Sequence, residues 1–283
     1  MGSAILGGIL DATRADGSAA KISRFVISTK SAQSAKKLQS RFKADEGRAR
    51  FLHGQNVQAM QDADIVILGF KPYMAKDVLQ EDGVREALRG KVVVSVLAGI
   101  TGSELREFVY GPESESKSQT QNHVQRGDEE AFFIRVHQNV AASIRQSMTI
   151  IETPDPSLPQ SLSDVLVWMF EQIGLVKFVP ADQYNAACML VGASMAIMST
   201  PLDGILDGGV AVGVRRAEGM EIMAQVLSGM AGLLKSGVHP AVLREEISSP
   251  RGCTIRSLLR LEREGVRGSC AQALIDGVEH LEK

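Results

Sequence analysis

The sequence predicts an α/β domain followed by an all-α domain, and three observations carry that prediction. Continuous apolar runs alternate with helix-patterned segments over residues 1–156. The hydrophobic period then changes: Leu162, Val165, Leu166, Met169, Phe170 and Ile173 follow the i, i+3, i+4, i+7 spacing of an amphipathic helix. From Ala181 onward every segment reads as helix.

The elements follow in order. "MGSAILGGIL" reads as the first turns of a helix of small and apolar residues. "RFVIST" (Arg24 to Thr29) is β-branched and aromatic, hence a strand, and "SAQSAKKLQSRF" is a helix. "ARFLHG" is a short strand and "NVQAMQDA" a short helix. "DIVILGF" (Asp64 to Phe70) and "KVVVSVLAG" (Lys91 to Gly99) are continuous apolar runs between helical segments. Such runs are strands buried on both faces, as in a parallel sheet covered by helices. "FFIRVH" and "MTIIET" extend that sheet. The stretch between Gly111 and Glu130 has Val124 as its one apolar residue and is predicted to be a flexible surface insertion. "LVKFVP" is strand-like, and Pro201 is predicted to kink or break the helix that follows. The stretch Ala186 to Val214 is apolar nearly all round, so it must be buried. A small helical domain can bury it only against a second subunit, which predicts dimerisation. The domains are predicted as 1–156 and 157–283.

Composition narrows the functional classes. With 44% hydrophobic and 23% charged residues the chain is of soluble globular type. A net charge of −2 gives no general attraction to nucleic acid or anionic membrane. The longest apolar run, Ala186 to Met198, is too short for a bilayer, and no secretory leader is legible. Three widely spaced cysteines predict a reducing, cytoplasmic setting. Five scattered histidines predict no metal site.

The alternating half reads as a Rossmann-type domain whose first strand is missing. Its pyrophosphate turn should follow strand one and aim at a helix N-terminus. Only the rear of that turn is legible, at Met1-Gly2, with Gly2 in the position that lets helix and strand pack closely. A small-residue helix packed on a sheet is the competing reading. At the end of "RFVIST" an NAD-preferring fold places a carboxylate; here stand Ser28, Thr29, Lys30 and Ser31. Hydroxyls and a cation suit a 2′-phosphate and hence NADPH; an ordinary polar turn is the alternative. Gly69, Phe70, Lys71 and Pro72 close one strand at the edge where ligands bind in open α/β sheets, and Val96 to Gly99 close its neighbour. In the helical half, Pro250 and Gly252 interrupt "SSPRGCTI", and Cys253 and Thr254 start a new helix. Free N–H groups and a threonine hydroxyl there suit a carboxylate, or simply make a capped turn.

"HPAVLREEISSPRGCTIRSLLRLEREGVR" (His239 to Arg267) resembles the signature of Δ1-pyrroline-5-carboxylate reductases, with His-Pro, Ser-Pro-x-Gly-x-Thr-Ile and Leu-Glu then Val-Arg in order. "ADIVILGFKP", "VVVSVLAGI", "IRVHQNVAA" and "LDGILDGGVAVGV" extend the resemblance over nearly the whole chain. It implies a Rossmann domain, a helical domain interlocked with a partner subunit as a homodimer or larger homo-oligomer, and NAD(P)H-dependent reduction of a small cyclic imino acid to L-proline. NADPH is the implied cofactor, with NADH as the other. By position, Met1 and Gly2 belong to the phosphate turn, Asn56 lies beside the adenosine, and Ser28 and Lys30 meet the 2′-phosphate. Gly69, Phe70, Lys71, Pro72, Ala98 and Gly99 line the nicotinamide ribose. Cys253 and Thr254 hold the substrate, with Asn139 and Ser194 in the same pocket and the Thr254 hydroxyl on the ring nitrogen. The chain departs from the family pattern at His137-Gln138-Asn139, where Met-Pro-Asn is expected, and at Gly192 to Ala196, where Ser194 and Met195 replace glycine and proline. These departures motivate a variant that reduces Δ1-piperideine carboxylate to pipecolate. The missing first strand motivates a non-catalytic dimeric paralogue.

Overall fold

The computed structural model describes residues 1–16, 21–112, 130–155 and 157–282. They form two compact units, Met1–Gly192 and Ala193–Leu281. The predicted polar insertion lies almost entirely outside the described residues.

The first unit runs α1 (Gly2–Asp16), β1 (Phe25–Thr29), α2 (Ala32–Arg41), β2 (Ala49–His53), α3 (Asn56–Gln61), β3 (Ile65–Leu68), α4 (Ala75–Leu79), α5 (Val84–Ala87), β4 (Val92–Ser95), α6 (Gly102–Tyr110), β5 (Phe132–His137), β6 (Ser147–Glu152), α7 (Gln160–Glu171) and β7 (Gly174–Val179). The sheet is in two parts. β1 pairs in parallel with β2, and the other five strands run in the order β3-β4-β5-β6-β7. All pairs are parallel except β5 with β6. Every residue of β4 is buried, as its unbroken apolar run requires. Among the described residues β1 and β3 each pair with a strand on one side only. α1 links the two parts. Ile5 and Ile9 join Val92, Val94, Ile134 and Phe170 in one apolar cluster, against which Phe25 of β1 and Ile65 and Ile67 of β3 also pack.

The close-packing glycine of α1 is not the predicted one. A Cβ on Gly2 would meet nothing within 4 Å, whereas a Cβ on Gly8 would stand 2.6 Å from Ile173 Cγ2 and 2.9 Å from the Gln172 carbonyl oxygen. The intimate approach is therefore between α1 and the end of α7. A polar contact holds the other side of α1. Asp45 is 2% exposed and accepts from Arg14 at 2.6 Å and from Arg48 at 2.7 Å. Arg48 also donates to Thr13 at 2.5 Å and bonds the Leu10 carbonyl. Burial pushes the Asp45 carboxyl up, but its hydrogen bonds from Arg14 and Arg48 outweigh burial and hold it below the ordinary aspartate value.

The first unit extends past the predicted boundary at 156. β7 pairs with β6 along its whole length, and Leu166, Met169 and Phe170 of α7 belong to the core described above. Gly174, at φ +148°, makes that pairing possible; a Cβ there would lie 1.9 Å from the Ser147 carbonyl oxygen. The amphipathic period of α7 marked a helix correctly but could not say which unit its apolar face enters.

The helical unit continues α8 (Ala181–Ala211) and adds α9 (Arg216–Lys235), α10 (Pro240–Glu246), α11 (Cys253–Arg263) and α12 (Val266–Leu281). α8 runs through Pro201 without a break, so of the expected kink or break the break does not occur. By length and composition it is long enough to cross a membrane, so the argument from the shorter apolar run does not hold. Burial along α8 is uneven. Cys188 and Val191 are buried, but Met198, Ile205 and Val212 are exposed, and among the described residues beyond Gly192 only Leu206 is buried.

Candidate functional site

The N-terminus of α1 opens beside a strand end. The Met1 carbonyl accepts from Ala4 N–H at 2.8 Å and Ile5 N–H at 3.3 Å. The Gly2 and Ser3 N–H groups precede the first intrahelical bond and point along the axis, where an anion is favoured. Gly69 follows β3, and a Cβ on it would come 3.9 Å from Gly2 Cα. Two glycine backbones thus meet at one point, which leaves a pyrophosphate room to approach main chain. Arg41 of α2 reaches the same helix opening, with Nη1 3.4 Å from Ser3 Oγ. Sequence reading missed this cation because 38 positions separate the two residues.

The neighbouring strand ends shape the rest. Lys71 is extended (φ −83°, ψ 140°) because Pro72 follows it, and Pro72 opens a short 3-10 turn. The Val96 N–H donates to the Leu68 carbonyl at 3.3 Å, tying the end of β4 to the end of β3. Ala98 and Gly99 are exposed beyond it, with Gly99 at φ +73°. At the end of β1, Ser28 Oγ bonds Asn56 Oδ1 at 2.9 Å, so two predicted residues 28 positions apart meet. Ser31 caps α2, accepting from Ser34 N–H at 3.2 Å, and Lys30 stands exposed between them. Residues 28–31 contain no carboxylate.

Around the end of β5 several polar side chains are committed to the fold, while the buried Gln138 Oε1 has no hydrogen-bond partner among the described residues. Arg135 donates to Glu152 at 3.1 Å and Asn185 at 3.1 Å, and stacks 4.1 Å from the centre of the Tyr184 ring. Burial raises the Tyr184 hydroxyl well above its ordinary range. Burial also pushes the Cys188 thiol up to about 11, which makes it an inert core group rather than a nucleophile. Burial lowers the His137 imidazole below its ordinary value, favouring the neutral ring. A Cβ on Gly192 would lie 2.8 Å from His137 Nε2, so the glycine of α8 makes room for the histidine. Asn139 Oδ1 accepts from Ala141 N–H at 3.1 Å and its Nδ2 donates to the Val191 carbonyl at 3.1 Å. Both ends of this amide hold backbone, so Asn139 positions the turn after β5.

In the helical unit the stretch from Ser248 to Gly252 is a tight turn. Gly252 N–H donates to the Ser249 carbonyl at 3.0 Å, and Ser248 Oγ donates to the Arg244 carbonyl at 2.6 Å. A Cβ on Gly252 would strike Ser249 Oγ at 2.5 Å. Gly252 is the N-cap of α11 and brings no side-chain acceptor, so the N–H groups of Cys253 and Thr254 open toward solvent uncapped. The Thr254 hydroxyl has no hydrogen-bond partner among the described residues. Ser194, on α8, is half-buried.

Two family models match the chain. The pyrroline-5-carboxylate reductase dimerisation model covers residues 181–283, and one described as NADP oxidoreductase, coenzyme F420-dependent, covers residues 1–99. The chain is 35% identical to a pyrroline-5-carboxylate reductase of Lophium arboricola over 97% of its own length and 87% of the relative's. It is 38% identical to one of Neurospora crassa, covering 77% of this chain and 66% of that one. The fold matches a Plasmodium falciparum pyrroline carboxylate reductase solved with NADP bound, at a TM-score of 0.77 and 19% identity, over 99% of this chain and 93% of that one.

Proposed function

Because this chain belongs to the pyrroline-5-carboxylate reductase family, we propose that it reduces Δ1-pyrroline-5-carboxylate to L-proline, with the dinucleotide held by the first unit and the imino acid by the turn that opens α11. The observation that carries the activity is the identity to the Lophium relative along nearly the whole chain. Its cofactor is a nicotinamide dinucleotide, which when bound supplies the hydride that adds to the imine carbon.

The residues fit such a group. The free N–H groups of Gly2 and Ser3, the bare backbone at Gly69 and the Arg41 guanidinium make an anion-binding corner for the pyrophosphate. Ser28, held by Asn56, and the exposed Lys30 meet the 2′-phosphate, and the lack of a carboxylate there favours NADPH over NADH. The backbone at Gly69 to Pro72 and at Ala98-Gly99 borders the nicotinamide ribose.

For the imino acid, the uncapped N–H groups of Cys253 and Thr254 hold the carboxylate at the positive end of α11. The Thr254 hydroxyl hydrogen-bonds the ring nitrogen, which must be protonated, or take a proton from solvent, as it becomes an amine. Orientation supplies most of the rate. The apolar surface of α8 from Met198 to Val212, exposed in a single chain, is covered by a second copy in a homodimer. Thr254→Val tests the assignment. Losing the hydroxyl lowers kcat about 100-fold while dinucleotide affinity stays at the wild-type value. A wild-type kcat refutes the role.

A further inference from the structure

Gln138 carries a buried acceptor with nothing to accept from. It is 4% exposed, and its Oε1 has no hydrogen-bond partner among the described residues. A buried acceptor left unpaired is costly, and native chains rarely keep one without a use. The family pattern has proline at this position, whose side chain accepts nothing, so the feature belongs to this chain.

The place of Gln138 in the sheet points to the donor. Leu68, Ser95 and Arg135 stand in one row across β3, β4 and β5. Gly69, Ala98 and Gln138 lie one, three and three residues past that row, at the edge where ligands bind in open α/β sheets. Ile134 and Val136 face the apolar cluster that holds Ile5 and Ile9 of α1. The alternation of strand side chains, carried one residue past β5, puts Gln138 on that same side. It is the side on which α1 opens beside Gly69.

We propose that Gln138 is a cofactor-binding residue whose amide oxygen accepts a hydrogen bond from the carboxamide of the nicotinamide. The proposal rests on the reading that the first unit holds a nicotinamide dinucleotide. That dinucleotide runs from the 2′-phosphate at the end of β1, through the pyrophosphate at the opening of α1, to the nicotinamide ribose along Gly69 to Pro72 and Ala98-Gly99. The next strand end in this order is that of β5, and the donor beyond the ribose is the carboxamide nitrogen. A bond there fixes the rotation of the ring about its link to the ribose, and with it the face turned to the imine. Thr149 stands across from Gln138, one step on from the pair His137↔Ile150, and its buried Oγ1 is also unpartnered. A water shared by the two side chains would satisfy both without any cofactor and would give Gln138 a purely structural role.

The test measures binding by calorimetry. The ligands are NADP+, its 3-acetylpyridine analogue, which keeps the carbonyl but has a methyl in place of the amide nitrogen, and 2′,5′-ADP, which lacks the nicotinamide half. Wild type binds NADP+ about tenfold more tightly than the analogue. Gln138→Met binds the two alike, through weaker binding of NADP+, and binds 2′,5′-ADP as wild type does. Its ligand-free Tm is at or above that of wild type, because an unpaired acceptor has gone. Gln138→Asn keeps the amide but withdraws it by one methylene, and reads the same loss should Gln138→Met fail to fold. Thr149→Val leaves the wild-type ratio in place. Equal affinity of wild type for NADP+ and the analogue overturns the proposal without any variant. A ratio unmoved by Gln138→Met, with a lowered Tm, overturns it in favour of the shared water. Where NADP+ and 2′,5′-ADP bind and the ratio is unmoved, only the Gln138 assignment falls. Where neither binds, the dinucleotide reading falls, and this proposal with it.

Discussion

Gly8→Ala and Gly7→Ala should move stability in opposite directions, although the two glycines are adjacent in one helix. The added methyl at position 8 would stand 2.6 Å from Ile173 Cγ2 and 2.9 Å from the Gln172 carbonyl oxygen. Carbon atoms pack at about 3.5–4.0 Å, so the overlap is about 1 Å. Neither neighbour can retreat easily: Ile173 is fully buried and the other atom is backbone. Overpacking of this kind costs about 1–3 kcal/mol, and the gain in helix propensity returns about 1 kcal/mol. The net loss is up to about 2 kcal/mol. At position 7 the new methyl meets only the Phe42 ring at 3.5 Å, an ordinary contact. There the propensity gain of about 0.5–1 kcal/mol stands nearly alone. Urea unfolding of both variants at one fixed protomer concentration reads the difference, because subunit association would otherwise shift the midpoint. A Gly8→Ala midpoint at or above wild type would refute the claim that α1 packs on the end of α7 through Gly8.

Three further outcomes follow. Asp45→Asn leaves Arg14 and Arg48 without their shared carboxylate; a fully buried pair would lose about 3–5 kcal/mol, and exposure of the two arginine side chains (49% and 23%) reduces this to about 2 kcal/mol. Because the folded carboxyl is held below its ordinary value, its contribution is complete above about pH 4 and is lost as pH falls through the lowered value, so the variant loses this acid slope in pH-dependent unfolding. His137 has the same sign: burial lowers its folded value, so stability declines as pH falls below about 6.5, and His137→Gln removes that decline in thermal melts between neutral and mildly acid pH. Lys30→Glu raises KM for NADPH about tenfold and that for NADH much less, as read by initial rates; equal effects on both would remove Lys30 from the 2′-phosphate.

The parts legible in the sequence were those whose signal is local. β3 and β4 showed themselves as unbroken apolar runs, and α11 opened just after Pro250 and Gly252, which interrupt the helical run. Lys71 is extended because the proline after it excludes helix, a restriction acting over one peptide bond. What escaped depends on distant partners. Nothing near Gly8 announces Ile173, and nothing near Ser3 announces Arg41. Asp45 looks like one surface acid among many until Arg14 and Arg48 close on it. The domain boundary was placed early because α7 shows an apolar face without showing which core it enters. Pro201 was expected to kink or break α8 on local backbone grounds, yet the helix is not broken there.

The central claim is that this polypeptide turns a cyclic imino acid into proline with a nicotinamide cofactor. Its most direct test follows loss of reduced-nicotinamide absorbance and formation of proline together, using the purified chain with Δ1-pyrroline-5-carboxylate and either NADPH or NADH. The account predicts one proline per nicotinamide oxidised, with the higher kcat/KM for NADPH. Binding of NADPH with no proline formed would contradict it.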